Sequence, residues 1–452
     1  MKKNTLYSCT KSILPKRNNQ LTAFLKVFNH YFGSFKRFFK VTDPRKSEKC
    51  LYPLESYLYL ALMMFILRMK AVRQISFLLK TADANTNFDR LFRCPHLPHS
   101  TSINKISRRL NPDEMQNATT YMVKYLIKQR VLEQYRFLGR YMIAIDGTYT
   151  YSSSKRHCKH CLTRTSKKTK KTTYYHMILE AKLVTSDGFA FSIMSEFVQN
   201  EEENPSKQDC ETKAFHRLAE KLKEAFPRQG FILLLDGLFA DGSIFQLCKE
   251  KNWEAIIVLK DKDLSTVNQE FENLKLMHPE QAFIVRKHDG CKQSFSWCNE
   301  IDYVDGKKRQ FHLNILECIE QQADAEETKY KVISTIKVHR NNICKLSDAG
   351  RTRWVIENQG FNTQKNHGFA LKHQYSKDYT GMKVFYYLLQ IAHTWEQLTR
   401  RSNLFKRLCK QKYGSIKNIY YHMLEEWRNK VLDEVAMDFI KNAKVQIRLD
   451  TG

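Results

Sequence analysis

The sequence predicts an α/β core with a mixed sheet, flanked by helical regions on both sides. Short apolar runs alternate with helical stretches at 140–262, charged and apolar residues alternate at 263–335, and helical periodicity prevails before and after. With 452 residues, of which 42% are hydrophobic, the chain can form more than one core.

We divide the chain on these patterns, since no internal repeat or low-complexity linker marks a boundary. The predicted parts are a helical region at 1–138, a core assembled from 139–262 and 336–375, a β-rich insertion at 263–335, and a helical basic region at 376–452.

The first region shows helical apolar periodicity at 22–32, 56–80 and 114–134. Its longest apolar run, YLYLALMMFIL at 57–67, has eleven residues. A membrane crossing needs about 20 residues, so we expect this run to be a buried helix.

A basic helix is predicted at 99–111, HSTSINKISRRLN. Ile103, Ile106 and Leu110 fall on one face, and basic side chains lie elsewhere. The pattern suits a DNA-contacting helix of the helix-turn-helix type, and equally an ordinary surface helix.

The core begins with strands. YMIAID at 141–146 is followed by two β-rich runs at 172–198, joined across the turn signal SDG. A helix at 210–225, the strand FILLLD at 231–236, a helix at 243–250 and a strand at 253–260 complete the predicted order.

Net charge indicates a polyanionic partner. The chain carries 75 Lys and Arg against 47 Asp and Glu, a net charge of +28. Residues 155–171 contain eight Lys or Arg and no acid, and residues 400–417 contain seven and no acid. Nucleic acid is the first interpretation, because the basic amphipathic helix that a membrane surface would require is not evident.

Compartment signals are few. The start, MKKNTLYSCTKS, lacks an apolar segment after its lysines, so we expect no secretory signal and a cytoplasmic protein. The twelve cysteines are scattered, which favours reduced thiols over a disulfide framework.

Two apolar strands end in an acid: Asp146 in IAIDGTY and Asp236 in LLLDGLFADG. Acids at the ends of neighbouring strands meet at one rim of a sheet, where bound cations usually keep them ionised. Glu357 lies in the basic, aromatic helix RTRWVIENQGFNTQKN at 351–366 and could be a third ligand of Mg²⁺ or Mn²⁺. Arg353, one turn earlier on the same face, is placed to bind phosphate.

Each acid also has a plainer interpretation, because Asp-Gly is an ordinary turn signal and a strand-end Asp often caps a helix. Three other acids compete for a role at this rim. Asp241 suits a helix N-cap, and Asp209 and Glu211 suit capping acids at a helix start.

The three motifs together, IDGT, LLLDGLFADG and RTRWVIENQGFNTQKNHG, resemble those of bacterial insertion-sequence DDE transposases of the IS-four group, over roughly 140–375. The resemblance implies a ribonuclease H-like core with a β-strand insertion, in which Asp146, Asp236 and Glu357 are the catalytic metal ligands. It also implies a nucleoid-associated bacterial enzyme that nicks double-stranded DNA at element ends and joins it to a target, acting as a homodimer. The helical region at 1–138 would then help to bind DNA ends.

The glutamate helix departs from that group's signature of Tyr, two residues, Arg, three residues, Glu, six residues and Lys. Gly350 stands at the Tyr position and Gln364 at the Lys position, with Lys365 one residue late. In an α-helix one residue rotates Lys365 by about 100°, away from the face of Glu357. We expect Lys365 to reach phosphate only through its flexible stem, with Arg351 sharing that role.

The basic stretch SKRHCKHCLTRTSKKTKK at 154–171 directly follows the first acidic motif, so we expect a loop that contacts the DNA backbone beside the site. The residues predicted to bind phosphate there are Lys155, Arg156, Lys167, Lys168, Lys170 and Lys171.

Cys158 and Cys161, with His157 and His160 beside them, have the spacing of half a zinc site. A structural zinc requires four ligands and no second pair with clear spacing follows, so the sequence argues against zinc at Cys158 and Cys161. Cys291 and Cys298 would be candidates only if the insertion folded back.

Trp297 and Trp354 are candidates for stacking on unpaired bases, although core packing is the commoner use of tryptophan. Two other functions stay open on sequence alone. One is a catalytically inactive, transposase-derived DNA-binding protein, and the other is a metal-dependent nuclease without strand transfer.

Overall fold

The computed structural model describes residues 19–46, 48, 50–202, 205–260, 262–286, 290–322, 326–409 and 413–449. The amino-terminal stretch from which we predicted the absence of a secretory signal lies outside these residues.

The helices are α1 (Asn19–Phe32), α2 (Phe35–Phe38), α3 (Leu54–Ile66), α4 (Gln74–Leu78), α5 (Ala82–Phe92), α6 (Ser100–Ser107), α7 (Pro112–Lys128), α8 (Glu211–Ala225), α9 (Gly242–Lys251), α10 (Ser265–Met277), α11 (Ile343–Thr352), α12 (Thr363–Asn366), α13 (Tyr379–Arg400), α14 (Asn403–Cys409), α15 (Ile416–Asn429) and α16 (Glu434–Lys441). The strands are β1 (Tyr141–Ser153), β2 (Leu162–Thr165), β3 (Thr172–Val184), β4 (Ala190–Val198), β5 (Phe231–Asp236), β6 (Glu254–Leu259), β7 (Ala282–Arg286), β8 (Lys292–Val304), β9 (Gln310–Gln321) and β10 (Thr328–Ser334).

The chain divides into two compact units: unit 1 comprises 1–118 and 375–452, and unit 2 comprises 119–374. The two helical regions that we predicted as separate parts therefore share one unit. The division at 118 falls within the continuous helix α7, where no composition change marks it, and the boundary at 138 stays a prediction.

Unit 1 is helical, and its core is formed by helices from both of its chain segments. Helix α13 is buried along most of its length, and α3 packs against it with side chains buried from Tyr57 to Ile66. This confirms the buried helix predicted at 57–67. The Trp395 indole N–H donates to the Phe24 carbonyl at 3.0 Å, and the Leu21 N–H donates to Glu426 at 2.9 Å.

Within the described residues, no helix has both the length and the apolarity that crossing a membrane would require.

Helix α6 forms inside the predicted basic segment. Ile103, Ile106 and Leu110 are buried as the pattern indicated, while Lys105 and Arg108 are exposed. The helix therefore presents a basic face, and its role in DNA binding stays a prediction.

Unit 2 contains, within the described residues, a ten-stranded mixed sheet in the order β2-β3-β1-β5-β6-β10-β9-β8-β7. Strand β4 also pairs with β3, along residues that follow those paired with β2. Strands β1, β5 and β6 are parallel, and the remaining pairs are antiparallel. Helices precede and follow the sheet region along the chain. This α/β architecture confirms the predicted fold class and is consistent with a ribonuclease H-like core carrying an insertion.

The predicted insertion extends the core sheet. Its last strand, β10, pairs with β6, so the meander β7 to β10 continues the same layer. It also contains α10, which the sequence did not predict. This helix follows Leu264, which has a left-handed backbone and makes no side-chain cap, so a helix-start signal is absent.

Candidate active site

Strand register places Asp146 and Asp236 side by side. Ala144 of β1 pairs in parallel with Leu234 of β5, and each aspartate lies two residues further along its strand. Two residues restore the same face of a sheet, and neighbouring strands are about 4.8 Å apart. The two carboxylates therefore project from one face at adjacent positions.

That face is covered by the segment that carries Glu357. Ala144 and Leu234 belong to a core that also contains Ile356 and Phe361, which flank Glu357 in sequence. Burial of these apolar neighbours fixes the segment against the sheet, and Glu357 reaches the rim with the two aspartates.

Asp236 and Glu357 both act on the pKa of Asp146. Burial raises the pKa of Asp146; Arg353 and the Gly147 N–H oppose this, and Asp236 and Glu357 raise the pKa further. Asp146 Oδ1 accepts the Gly147 N–H at 2.8 Å, and Asp236 Oδ1 accepts the Leu238 N–H at 3.2 Å. Both aspartates thus also make the local turn contacts of the plainer interpretation.

Arg353 supplies positive charge inside the cluster. Its guanidinium Nη1 lies 3.5 Å from Asp146 Oδ2, and its side chain is only 11% exposed. The prediction that Arg353 shares the face of Glu357 fits this position, while phosphate binding stays a prediction.

Glu357 lies in a π-helical segment, Ile356–Asn362, between α11 and α12. The i→i+5 hydrogen bonds of a π-helix use about one residue more per turn than an α-helix, and such turns frequently occur at functional sites. The extra residue shifts every later side chain by one position around the axis.

The π-helical segment corrects our expectation for Lys365. The sequence predicted a lysine rotated away from Glu357, but one residue of π-helical offset brings position 365 to the phase that position 364 would have in an α-helix. The pKa of Lys365 is lowered, chiefly by burial and also by Lys372. Glu357 and Asp146 act in the opposite direction, so the ammonium group interacts with both acids. Gln364 is instead buried in the core.

Gly350 stands where the related signature has tyrosine because α11 lies close to the sheet. A Cβ there would come within 3.0 Å of Val332 Cγ2, so a large side chain does not fit.

The structure places Arg351 away from the acids, where it contacts Glu320 in an ion pair and lies 4.6 Å from the centre of the Tyr330 ring. This arrangement directs its guanidinium to β9 and β10, so a shared role with Lys365 at the rim is not what the geometry favours.

A buried ion pair underlies the glutamate segment. Lys182 and Glu180 of β3 are fully buried with 3.4 Å between Nζ and Oε1, and the Lys182 stem would lie 3.2 Å from a Cβ at Gly360. The absence of a side chain at Gly360 therefore lets the π-helical segment approach β3.

Glu211 is the residue that sequence reasoning missed. We interpreted it as a capping acid, but α8 is preceded by Cys210 without a side-chain cap, and a Cβ at Gly147 would lie 2.1 Å from Glu211 Oε1. Burial, followed by Asp146 and Asp236, raises the pKa of Glu211 to about 7. The glycine after Asp146 was the available signal, because it admits a carboxylate against the strand.

The other two competing acids have structural roles. Asp241 accepts the Ser243 N–H at 2.7 Å as the N-cap of α9, which confirms that prediction. Asp209 pairs with Arg217 at 2.6 Å.

The basic stretch is a β-hairpin and not a loop alone. Strand β2 pairs with the start of β3 from Leu162↔Tyr175 to Thr165↔Thr172. The lysines at the tip of this basic hairpin are exposed, as is Lys155, whereas Arg156 lies over the Tyr174 ring at 5.1 Å. The exposed tip residues are Lys167, Lys168, Lys170 and Lys171.

The two tryptophans differ in exposure. Trp297 is buried at 9% exposure, as core packing predicts, but Trp354 is 50% exposed beside the glutamate segment. Core packing does not account for Trp354.

The donor set of the rim suits a hard divalent cation. Asp146, Asp236, Glu357 and Glu211 offer only carboxylate oxygens, and burial together with repulsion from the neighbouring acids raises the pKa of Asp146 and Glu211. Carboxylates arranged in this way are the ligands that Mg²⁺ and Mn²⁺ accept.

Residues 35–122 match the family model described as DDE_Tnp_1-associated. This match points to the DDE transposase family and implies a transposase-related function. No curated protein matches the chain.

Proposed function

We propose that the protein is a DDE transposase that cleaves DNA at element ends and transfers the freed strand into target DNA. The observation that carries the proposal is the convergence of Asp146, Asp236 and Glu357 at one rim of the sheet, with Arg353 among them. DNA binding alone requires cations facing phosphate, not a cluster of acids.

In this proposal Asp146, Asp236 and Glu357 would hold Mg²⁺ or Mn²⁺, and such an ion would supply charge stabilisation for the attacking and leaving oxygens of a phosphodiester. Arg353 and Lys365 orient the scissile phosphate by charge-assisted hydrogen bonds. Arg353 forms an ion pair with Asp146. In the complex with DNA, its guanidinium would bind the phosphate in place of part of this contact.

Exposed lysines at the tip of the basic hairpin contact the DNA backbone beside the rim. Joining two ends at one target requires two active sites, so a homodimer on DNA is part of the proposal, with α6 as a candidate contact to the element ends.

The test is nicking and joining of a DNA fragment that carries the sequences flanking this gene. The native chain is compared with Glu357→Gln, which removes one charge at nearly constant shape. Asp348→Asn is the matched control, since it removes an exposed charge from α11, nine residues before Glu357. We expect the native chain and the control to nick and join with Mg²⁺, and Glu357→Gln to bind DNA and lose at least about 100-fold in rate.

Two results would replace the proposal. Equal DNA binding with no reaction from any variant in Mg²⁺ or Mn²⁺ would identify an inactive DNA-binding protein. Glu357-dependent nicking without joined product would identify a nuclease.

A further inference from the structure

A second cluster of metal-binding side chains lies at the base of the basic hairpin. Ligand atoms of His157, Cys161 and His176 all lie within 4.8 Å of one another. Cys158 joins them, with its sulphur 3.6 Å from Cys161 Sγ and 3.4 Å from His176 Nε2. His176 comes from β3, fifteen residues after Cys161, so the sheet supplies the fourth ligand.

The distances fit tetrahedral coordination. With Zn–S of about 2.3 Å and Zn–N of about 2.0–2.1 Å, tetrahedral angles place two sulphurs about 3.8 Å apart and a sulphur and a nitrogen about 3.6 Å apart. The separations are 3.6 Å for the sulphur pair and 3.4 and 3.9 Å for His176 Nε2 to Cys158 and Cys161. A disulfide would require about 2.05 Å between the sulphurs.

The surroundings are those of a preformed site. Cys161 is 0% and His176 is 3% exposed. Both ring nitrogens of His157 are buried away from solvent, where a polar atom is costly unless something binds it. His160 is occupied differently, since its Nδ1 lies 2.7 Å from the Asn200 carbonyl oxygen.

The chain around the cysteines is held in place independently. The Cys161 N–H donates to the Cys158 carbonyl at 3.4 Å, which closes the turn between the two sulphurs. The Asn200 side-chain amide donates to the Cys161 carbonyl at 3.0 Å.

We propose that His157, Cys158, Cys161 and His176 bind one structural Zn²⁺. This reverses our sequence-based argument against zinc, which counted ligands by spacing and did not pair the cysteines with a histidine on β3. The bound ion links the 154–161 segment to β3 and so fixes the base of the basic hairpin. Four protein ligands leave no open position for water or substrate, so this site has a structural role and differs from the acidic rim.

The first measurement is the zinc content of the protein, purified under reducing conditions with a tag that binds no metal. We expect about one Zn²⁺ per chain for the native protein and less than about one fifth of that for Cys161→Ser and His157→Asn. Cys210→Ser is the matched control, because Cys210 is an exposed cysteine outside the cluster. Glu357→Gln should also keep its zinc, which separates this site from the acidic rim.

A second measurement covers variants that fail to fold. Folded native protein is treated with a chelator and then titrated with Co²⁺, and thiol reactivity is followed throughout. We expect chelation to make two further thiols reactive, and Co²⁺ to produce the visible bands of a tetrahedral thiolate site.

The proposal fails if the native protein contains less than about one tenth of a Zn²⁺ per chain and Co²⁺ gives no tetrahedral spectrum. It also fails if the two variants keep native zinc content, or if Cys158 and Cys161 form a disulfide in the reduced preparation. None of these measurements uses DNA, so they are independent of the proposed transposase activity.

Discussion

Glu211 brings a fourth carboxyl group to the rim that carries Asp146 and Asp236. Its carboxylate lies against Gly147 and is therefore a neighbour of Asp146. Burial, together with repulsion from Asp146 and Asp236, raises its pKa to about 7. We regard it as a positioning residue that increases the negative charge available to a cation.

Replacing Glu211 by glutamine should therefore weaken the cation site and leave it assembled. We expect the Mg²⁺ concentration that gives half-maximal nicking to rise about tenfold, with little loss of rate at saturating Mg²⁺. Glu224→Gln is the control, since Glu224 is an exposed acid of the same helix. An unchanged Mg²⁺ dependence would show that Glu211 takes no part in the cation site.

At the scale of elements, the π-helical segment explains why the lysine stands one residue late. The extra residue within Ile356–Asn362 compensates for the offset, so Lys365 interacts with Glu357 and Asp146, and Gln364 is buried.

Moving the lysine from position 365 to the signature position, 364, should therefore not restore activity. We expect Lys365→Gln to weaken strand transfer, and the double change Gln364→Lys with Lys365→Gln to restore nothing and to lower the free energy of unfolding by about 3 kcal/mol, because it buries a charge. Lys345→Gln, in an exposed position of α11, is the control for loss of charge. Recovery of activity in the double variant would contradict the π-helical register.

The basic hairpin predicts a second element-scale outcome. Replacing Lys170 and Lys171 by alanine should lower DNA affinity at all sequences and reduce the slope of log affinity against log salt by about 0.9 for each phosphate that the hairpin no longer neutralises. The matched control is the pair Lys307 and Lys308 on the β8–β9 hairpin, because Lys170 and Lys308 both have positive φ, 55° and 60°. Equal slopes for the two double variants would exclude a specific role for the hairpin.

The strands of the core were predictable because short apolar runs bounded by turn signals are typical of buried strands. The strand at 231–236 forms at the predicted residues, and the SDG turn joins β3 to β4. The π-helical segment was not predictable, since local propensity does not distinguish one extra residue per turn. The partnership of Cys161 with His176 depends on strand pairing between β2 and β3, which spacing along the chain does not report.

For the molecule as a whole, unit 1 depends on contacts between its two chain segments. Glu396 of α13 pairs with Arg68 at 2.9 Å and with Arg400 at 3.6 Å, and the Tyr420 hydroxyl donates to it. Burial alone raises the pKa of Glu396, but the two guanidinium groups outweigh burial and lower it to about 2.

This depressed pKa predicts how stability changes in acid. The Glu396 contribution is fully present above pH 4.5, the usual value for a glutamate, and is lost as the pH falls towards 2. We expect Glu396→Gln to lower the free energy of unfolding by about 3 kcal/mol at pH 7, with the difference from the native protein shrinking below pH 4.5. Urea unfolding across that range, with the exposed Glu425→Gln as control, measures it; a constant difference would show that packing and not charge is responsible.

The division of unit 1 between two chain segments also bears on synthesis. Helix α3 leaves the ribosome with apolar side chains on nearly every side, and α13, which covers it, is translated about 310 residues later. At about 5–20 residues per second that interval is roughly 15–60 s. Throughout it, unit 2 can complete its sheet while α3 stays exposed to chaperones and proteases. A chain terminated soon after unit 2 would keep the acidic rim and leave α3 uncovered, so we expect cellular quality control to remove truncated copies.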